Sequence, residues 1–291
     1  MPAAVIIINR LRVRDPARFR RTCRAAARAS GWAVEFLETT HDDYGLGLAR
    51  QAVAAGARLV VAAGGDGTVR SCAQALAGQD IPLAIVPLGT ANLAARALGL
   101  PRRLDEVLTV AFRGRERRID LAEADGMPYA AMAGIGLDAA VVGATPRLLK
   151  ERFGWLGYAA AGAARLPGRR HEFTVRLDGG PPLTRRARSV AVGNAGLLPG
   201  GFAMLPRARL DDGVLDVGIL APAGPVGWGR VAYRISTGGG HDDGRLARFQ
   251  ARRVEIRTAA DLPREVDGEM IAPGRTLIIE VRPAALLVRA P

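Results

Sequence analysis

Five residues, Gly64-Gly65-Asp66-Gly67-Thr68, end the apolar run Leu59–Ala63 where a helical pattern begins, and they are the first candidates for chemistry. Glycines at such a junction let the backbone approach a phosphate closely, and the helix that follows offers N–H groups to an anion. Bare phosphate would repel a carboxylate in that loop. Asp66 therefore suits a bridging Mg²⁺, a ribose hydroxyl, or hydrogen bonds that hold the loop itself. The segment "AIVPLGTANLAARALGLP" repeats the design, running from an apolar strand through Gly89 and Thr90 into a helix from Asn92. Gly89 again permits close approach, and Thr90 and Asn92 are candidate caps. Two such loops on neighbouring strand ends make a nucleotide cleft. The usual lysine-bearing phosphate loop is absent, because Lys150 is the chain's one lysine and lies far from either loop. Gly134–Ala139 fits G-x-G-x-x-A, but no strand–helix–strand unit surrounds it, so the match is one of chance.

The elements that must position these loops alternate in type over residues 1–118. Apolar strands at Ala4–Asn9, Ala33–Glu38, Leu59–Ala63 and Pro82–Val86 alternate with helical patterns at Pro16–Ser30, Tyr44–Ala55, Val69–Ala77 and Asn92–Leu98. Short, continuously apolar strands separated by helices predict a parallel α/β domain that binds ligand at the carboxyl edge of its sheet. On this reading the helix after the first loop opens with Arg70 and Ser71 and has no acid in its first turn. Beyond Asp120 the texture changes. Phe173–Leu177, Val190–Gly193, Val214–Leu220, Arg253–Thr258 and Leu277–Val281 are strand-like runs between turn residues, which predicts an antiparallel sandwich-like domain over 119–283. A helical stretch, Thr145–Leu166, interrupts it. In this second half Asp267-Gly268-Glu269 and Asp211-Asp212-Gly213 read, on residues alone, as Asp-Gly turns.

The composition is that of a globular protein, with 49% hydrophobic and 24% charged residues. No apolar run reaches the ~18–20 residues that span a bilayer, and the basic residues at the N-terminus follow the apolar run, the reverse of a signal peptide. A cytoplasmic protein is expected. The formal charge of +13 comes almost wholly from arginine; it points to a peripheral association with an anionic membrane surface. No nucleic-acid partner is expected, since zinc-finger spacing and aromatic–basic runs are missing. Cys23 and Cys72 lie in helical patterns and predict neither a disulfide nor a metal site.

Taken in order, "VVAAGGDGTV", "AIVPLGTANLAARALGLP", "RRIDLAEADGMPYAAMAGIGLDAAVV", "GNAGLLPGGFAMLPRARLDDGVLDVGIL" and "REVDGEM" resemble the bacterial diacylglycerol kinase-like lipid kinase family, related to sphingosine and ceramide kinases. The likeness runs over most of the chain. It implies a lipid kinase that uses ATP and Mg²⁺, built from an N-terminal α/β domain similar to that of phosphofructokinase and NAD kinase and a C-terminal β-sandwich-like domain, with residues 284–291 returning to the first domain. By the same resemblance the nucleotide contacts fall on Asn9, Thr39, Gly64, Gly65, Asp66, Gly67, Thr68, Gly89, Thr90 and Asn92. The catalytic acids fall on Glu269, as general base, with Asp267 and Asp120 as acidic partners. A Mg²⁺ site falls on Asp212 with the backbone carbonyls of Arg209 and Val214.

The chain also departs from that pattern on the nucleotide side. Asn9 is followed by Arg10-Leu11-Arg12-Val13 where the family has N-P-x-S-G, Arg70-Ser71 stands for an Asn-Glu pair, and Leu93 stands for an aspartate. Two alternatives therefore stand beside an ATP-dependent kinase of a diacylglycerol-like lipid: a catalytically inactive lipid-binding protein on the same fold, and a kinase of a soluble substrate. The sequence is also compatible with a homodimer.

Overall fold

The computed structural model describes residues 3–136, 169–196, 204–224, 227, 230, 231, 233 and 244–291. The helical stretch expected at Thr145–Leu166 lies outside the described residues. The chain divides into two compact units, Met1–Leu121 with Ala284–Pro291, and Ala122–Pro283.

The first unit is a parallel α/β sheet. Strands β1 (Ala3–Ile8), β2 (Ala33–Glu38), β3 (Leu59–Gly64) and β4 (Leu83–Pro87) lie in the order β4-β3-β1-β2. All these pairings are parallel, and the C-terminal end of the chain adds to the edge through Val288 opposite Leu83. Helices α1 (Pro16–Ala29), α2 (Leu46–Ala54), α3 (Asp66–Leu76), α4 (Leu93–Ala97) and α5 (Leu104–Arg113) connect them. Because strand side chains alternate between faces, Ile6, Ile8, Val61 and Ala63 point one way, into a core closed by Phe19, Cys23 and Ala27 of α1 and by Val107, Leu108, Ala111 and Phe112 of α5. Ile7 points the other way, towards Gly45 and Cys72 beside α2 and α3. Both strand faces are thus covered, which is why these strands read as continuous apolar runs.

Two boundaries differ from expectation. Helix α3 starts at Asp66, so Asp66 occupies its first turn; Gly65 is in extended conformation and releases the chain into the helix at once. Helix α2 starts at Leu46, because the Asp43 carboxylate accepts the N–H groups of Gly45, Gly47 and Leu48 and sets the N-terminus there. Helix α5 was not among the expected elements, although Leu104, Val107, Leu108, Ala111 and Phe112 carry the helical spacing.

The second unit is antiparallel. Its strands include β6 (Met127–Tyr129), β7 (Met132–Gly136), β8 (His171–Leu177), β9 (Leu183–Ala187), β10 (Ser189–Gly193), β11 (Leu215–Leu220), β12 (Leu246–Ala251) and β13 (Arg253–Val266). The path β12-β11-β10-β7-β13 continues to β14 (Glu269–Ala290), β8 and β9 extend from β13, and β6 pairs with β5 (Arg115–Ala124). β5 and β14 carry residues of both units. The runs expected at Arg253–Thr258 and Leu277–Val281 are parts of the longer β13 and β14. Irregular register between Arg257 and Arg264 lets β13 bend and continue. Gly134–Gly136 sit in antiparallel β7, with no strand–helix–strand unit around them. Phe173, Val175, Ile135, Val254, Ile256 and Leu277 are among the residues of this unit's core. No helix among the described residues is long and apolar enough to cross a membrane.

Two outcomes follow. Phe173→Ala removes a fully buried ring and should lower unfolding free energy by about 3–5 kcal/mol; an unchanged denaturation midpoint would contradict this packing. Burial pushes the thiols of Cys23 and Cys72 up to about 12, with the Asp43 charge adding to the rise at Cys72. Both therefore stay protonated well past pH 9, and a thiol-specific chromogenic reagent should react with neither in the native protein and with both after denaturation.

Candidate functional site

Strands of equal phase bring their carboxyl ends into one row. Gly64 pairs with Pro87, Ile8 with Ala63, and Ile8 with Glu38. The next residues along, Gly65, Leu88, Asn9 and Thr39, therefore stand together at the sheet's carboxyl edge, where open α/β sheets bind ligands. The row is tied by backbone bonds: Asn9 N–H donates to the Ala63 carbonyl (2.9 Å), Thr39 N–H to Ile8 (2.9 Å), and Leu88 N–H to Gly64 (2.8 Å).

The two glycine loops close on each other. A Cβ on Gly89 would lie 2.7 Å from Gly65 Cα, and one on Gly64 would lie 2.5 Å from Thr68 Oγ1, so neither position admits a larger residue without rearrangement. Asp66 joins the loops. Its carboxylate accepts the N–H of Asn92 at Oδ2 (2.9 Å) and the N–H of Leu93 at Oδ1 (2.7 Å). Of the three roles the residue types allow, this geometry displays loop holding. Asn92 does not cap α4 with its own side chain. It adopts φ +49°, and its amide folds back on Gly89, accepting that residue's N–H (2.9 Å) and donating to its carbonyl (2.8 Å). Asp66 takes the capping place instead, from across the gap. Thr68 is only 2% exposed, packed against Gly64, so it shapes the turn from beneath. Thr90 lies in the second loop, open to solvent, and Gly67 in the first turn of α3, partly exposed.

After β1 the chain forms a single 3-10 turn, Arg10–Arg12, whose N-cap Asn9 accepts the Leu11 N–H through its side chain (3.2 Å). The Asn9 side chain is thus engaged within its own turn. The Arg10 guanidinium lies 3.7 Å from Glu38. Asp120, also in the first unit and buried, accepts the Ala284 N–H (2.7 Å), and so fixes the chain where it re-enters that unit.

In the second unit Asp267-Gly268 forms a two-residue hairpin turn between β13 and β14. Both residues have positive φ, +48° and +78°, and Val266 pairs with Glu269 across it; that twist matches the strands. Asp267 is 6% exposed and its carboxylate accepts three N–H groups, of Ala130 (3.1 Å), Ala131 (3.0 Å) and Met132 (3.1 Å). This binding makes it an anchor. Glu269, one residue past the turn, is exposed at the start of β14. Two participants were not foreseen. Glu265 is buried and accepts the Gly268 N–H (2.7 Å), and Tyr129 donates its hydroxyl proton to the Val192 carbonyl (3.1 Å). Burial, then the charges of Asp267 and Glu265, hold the Tyr129 phenol well above its ordinary pKa. No local sequence signal reports such burial of a glutamate.

Asp212 lies in a turn in which its own Oδ1 accepts the Val214 N–H (3.2 Å), and Arg209 Nε lies 3.5 Å from Asp211. An oxygen-only set of one carboxylate and the carbonyls of Arg209 and Val214 suits a hard cation. The second oxygen of Asp212 and those carbonyls are the donors it would use. Among the described residues no group of three or more His, Cys, Asp or Glu side chains converges in a metal-binding arrangement. Nearby Asp216 is buried, which raises its carboxyl pKa, while the hydrogen bond from Gln250 (3.2 Å) opposes the rise.

Comparison with known proteins decides the family. The model described as diacylglycerol kinase catalytic domain matches residues 3–124, and that described as YegS C-terminal NAD kinase beta sandwich-like domain matches residues 131–290. A probable lipid kinase YegS-like of Pseudomonas savastanoi is 36% identical over 272 residues, covering 92% of this chain and 87% of the relative. The chain belongs to the YegS-like lipid kinase family. Another such relative, from Pseudomonas fluorescens, is 34% identical over 269 residues, 91% of this chain and 88% of its own length. The fold of this lipid kinase family member is likewise that of a putative diacylglycerol kinase from Bacillus anthracis (TM-score 0.80, 23% identity, 100% of this chain and 97% of that one). An NAD kinase from Archaeoglobus fulgidus, solved with ATP, shares the fold more distantly (TM-score 0.52, 15% identity, 99% and 93% covered).

The bridge at Asp66 has a measurable consequence. Asp66→Ala leaves the N–H groups of Asn92 and Leu93 without that acceptor and should cost about 1–3 kcal/mol of stability. Asp66→Asn, which keeps one acceptor oxygen, should recover part of it. Equal urea midpoints for Asp66→Ala and the parent would show that the carboxylate does not hold the loops.

Proposed function

We propose that this lipid kinase family member transfers the γ-phosphoryl group of ATP to the hydroxyl of a diacylglycerol-like lipid. The observation that carries the reading is the pair of glycine loops at the carboxyl edge of the parallel sheet, locked by Asp66, in a chain of this family. Gly65 and Gly89 leave backbone room for phosphate oxygens, and the first turn of α3 supplies N–H groups not used within the helix. Mg²⁺ bound with the nucleotide would neutralise phosphate charge. Glu269 is the general base: it is exposed, while Asp267 below it is consumed in anchoring the hairpin. The acceptor hydroxyl gives its proton to the Glu269 carboxylate, its oxygen bonds to the γ-phosphorus, and the bond to ADP breaks. Asp120, engaged by the Ala284 N–H, serves by holding the backbone.

A second reading is favoured by one observation. The turn after β1 is a short 3-10 turn in which the N–H groups of Leu11, Arg12 and Val13 are donated to the Asn9 side-chain oxygen, the Asn9 carbonyl and the Arg10 carbonyl, so this edge offers fewer free backbone donors to phosphate. That would suit a lipid-binding protein without catalysis.

The test is transfer from radiolabelled ATP–Mg²⁺ to a panel of lipid alcohols, with NAD and glycerol as soluble acceptors. Label should appear in a diacylglycerol-type lipid. Glu269→Gln should lower turnover about 10²–10⁴-fold, the usual worth of a general base, while ATP–Mg²⁺ still raises its melting temperature as in the parent. Transfer to a soluble acceptor alone would assign the other substrate class. Absence of both transfer and thermal stabilisation would support the non-catalytic reading.

A further inference from the structure

The turn after β1 holds a feature that phosphoryl transfer does not use. Leu11 is 95% exposed, more than any other large apolar side chain among the described residues. It does not sit on a frayed end. The Asn9 side chain accepts its N–H, Arg12 N–H donates to the Asn9 carbonyl (3.0 Å), and Val13 N–H donates to that of Arg10 (3.1 Å), while no residue of the turn is buried. A hydrogen-bonded turn thus holds a leucine out in water.

The chain around it is strongly cationic. Residues 10–28 contain eight arginines and one acid, Asp15. That acid is engaged in capping α1, accepting the Arg18 N–H (2.9 Å). Helix α1 buries Phe19, Cys23 and Ala27, so Arg18, Arg21 and Arg28 stand on its outer side with Arg14 just before it. Three arginines are accounted for locally. Arg20 pairs with Glu38 (2.7 Å), Arg10 lies near the same carboxylate, and both Arg20 and Arg24 stack over Phe36 at 5.0 Å. Among the described residues Arg12, Arg14, Arg18, Arg21 and Arg28 form no ion pair with a carboxylate.

We propose that the Leu11 turn and the outer side of α1 form a docking surface for an anionic lipid bilayer. Leu11 enters the boundary between headgroups and acyl chains, and Arg12, Arg14, Arg18 and Arg21 meet lipid phosphates. Arginines alone would suit any polyanion. The leucine selects the bilayer, because it gains only where an apolar phase lies behind the phosphates, whereas a duplex offers its phosphates with water behind them and a single strand would call for aromatic stacking side chains. This deepens the lipid-acceptor reading, on which it rests for its biological sense, by naming the surface that would bring the enzyme to its substrate.

The test uses the full chain without nucleotide, in co-sedimentation with phosphatidylcholine vesicles containing or lacking phosphatidylglycerol. Binding is expected to the anionic vesicles alone and to weaken with added salt. Leu11→Ser should lower the partition coefficient about tenfold, and Arg14→Ser with Arg18→Ser about fivefold for each arginine. Arg185→Ser with Arg186→Ser, removing equal charge from exposed positions of β9, should change it little. Because Cys23 and Cys72 are buried, a polarity-sensitive dye on Leu11→Cys reports that position, and its emission should shift to the blue on anionic vesicles. Equal partition of Leu11→Ser and the parent, or a dye that stays in a water-like environment, would overturn the proposal. Binding to duplex DNA without binding to vesicles would overturn it too. Phosphotransfer to detergent-dispersed lipid separates the two failures: a parent protein that transfers phosphate to dispersed lipid but does not bind the anionic vesicles refutes this surface alone.

Discussion

Two hydrogen bonds accepted by one carboxylate organise the carboxyl edge of the parallel sheet. Asp66 reaches across 26 and 27 residues of chain to the N–H groups of Asn92 and Leu93. Those groups begin a five-residue helix that has no cap of its own, and a helix that short is not stable alone. The bridge fixes α4, and through the Asn92 amide it fixes Gly89, which in turn sits against Gly65. Glycine is required at Gly89 by contact rather than by backbone twist, since a Cβ there would lie 2.7 Å from Gly65 Cα.

The same device appears in the second unit on a different scaffold. Asp267 accepts three consecutive backbone N–H groups leading into β7 with its two oxygens, and Glu265 holds the Gly268 N–H inside the turn. Two buried acids are tolerable there because each is met by donors, which replace the water lost on burial. The result is a hairpin whose two-residue turn is stiff and whose first exposed carboxylate is Glu269. In both units, then, an aspartate of an Asp-Gly pair works as scaffold, holding backbone N–H groups of residues that are themselves mostly buried.

Much of the fold was legible along the chain. The parallel strands β1, β3 and β4 declare themselves because both their faces are buried, which removes polar residues from the run; β2, at the edge, keeps Glu35 and Glu38. The second half was legible only as a texture. Strands β13 and β14 are half exposed and interleave Arg and Glu with apolar residues, so their lengths were not readable, while β7 is a five-residue run with two glycines and gave no clear strand signal. Helix α5 shows a different failure: its spacing is plain, but Arg102-Arg103 and the acidic pair Asp105-Glu106 look like a loop until the apolar stripe is counted.

By itself the sequence determined the glycine loops, the arginine-laden turn in place of a more usual phosphate turn, and the ordered motifs that mark the family. Those are matters of residue type and spacing, and no folding is needed to see them. Only the tertiary structure decided which backbone donors Asp66, Asp120 and Asp267 hold. Asp66, Asp120, Asp212, Asp267 and Glu269 are all plausible catalytic or metal-binding residues in one dimension. Which of them is occupied depends on N–H groups that arrive from distant positions: Asn92 for Asp66, Ala284 for Asp120, Ala130 to Met132 for Asp267. A carboxylate's role is set by the donors around it, and folding alone brings those donors to it.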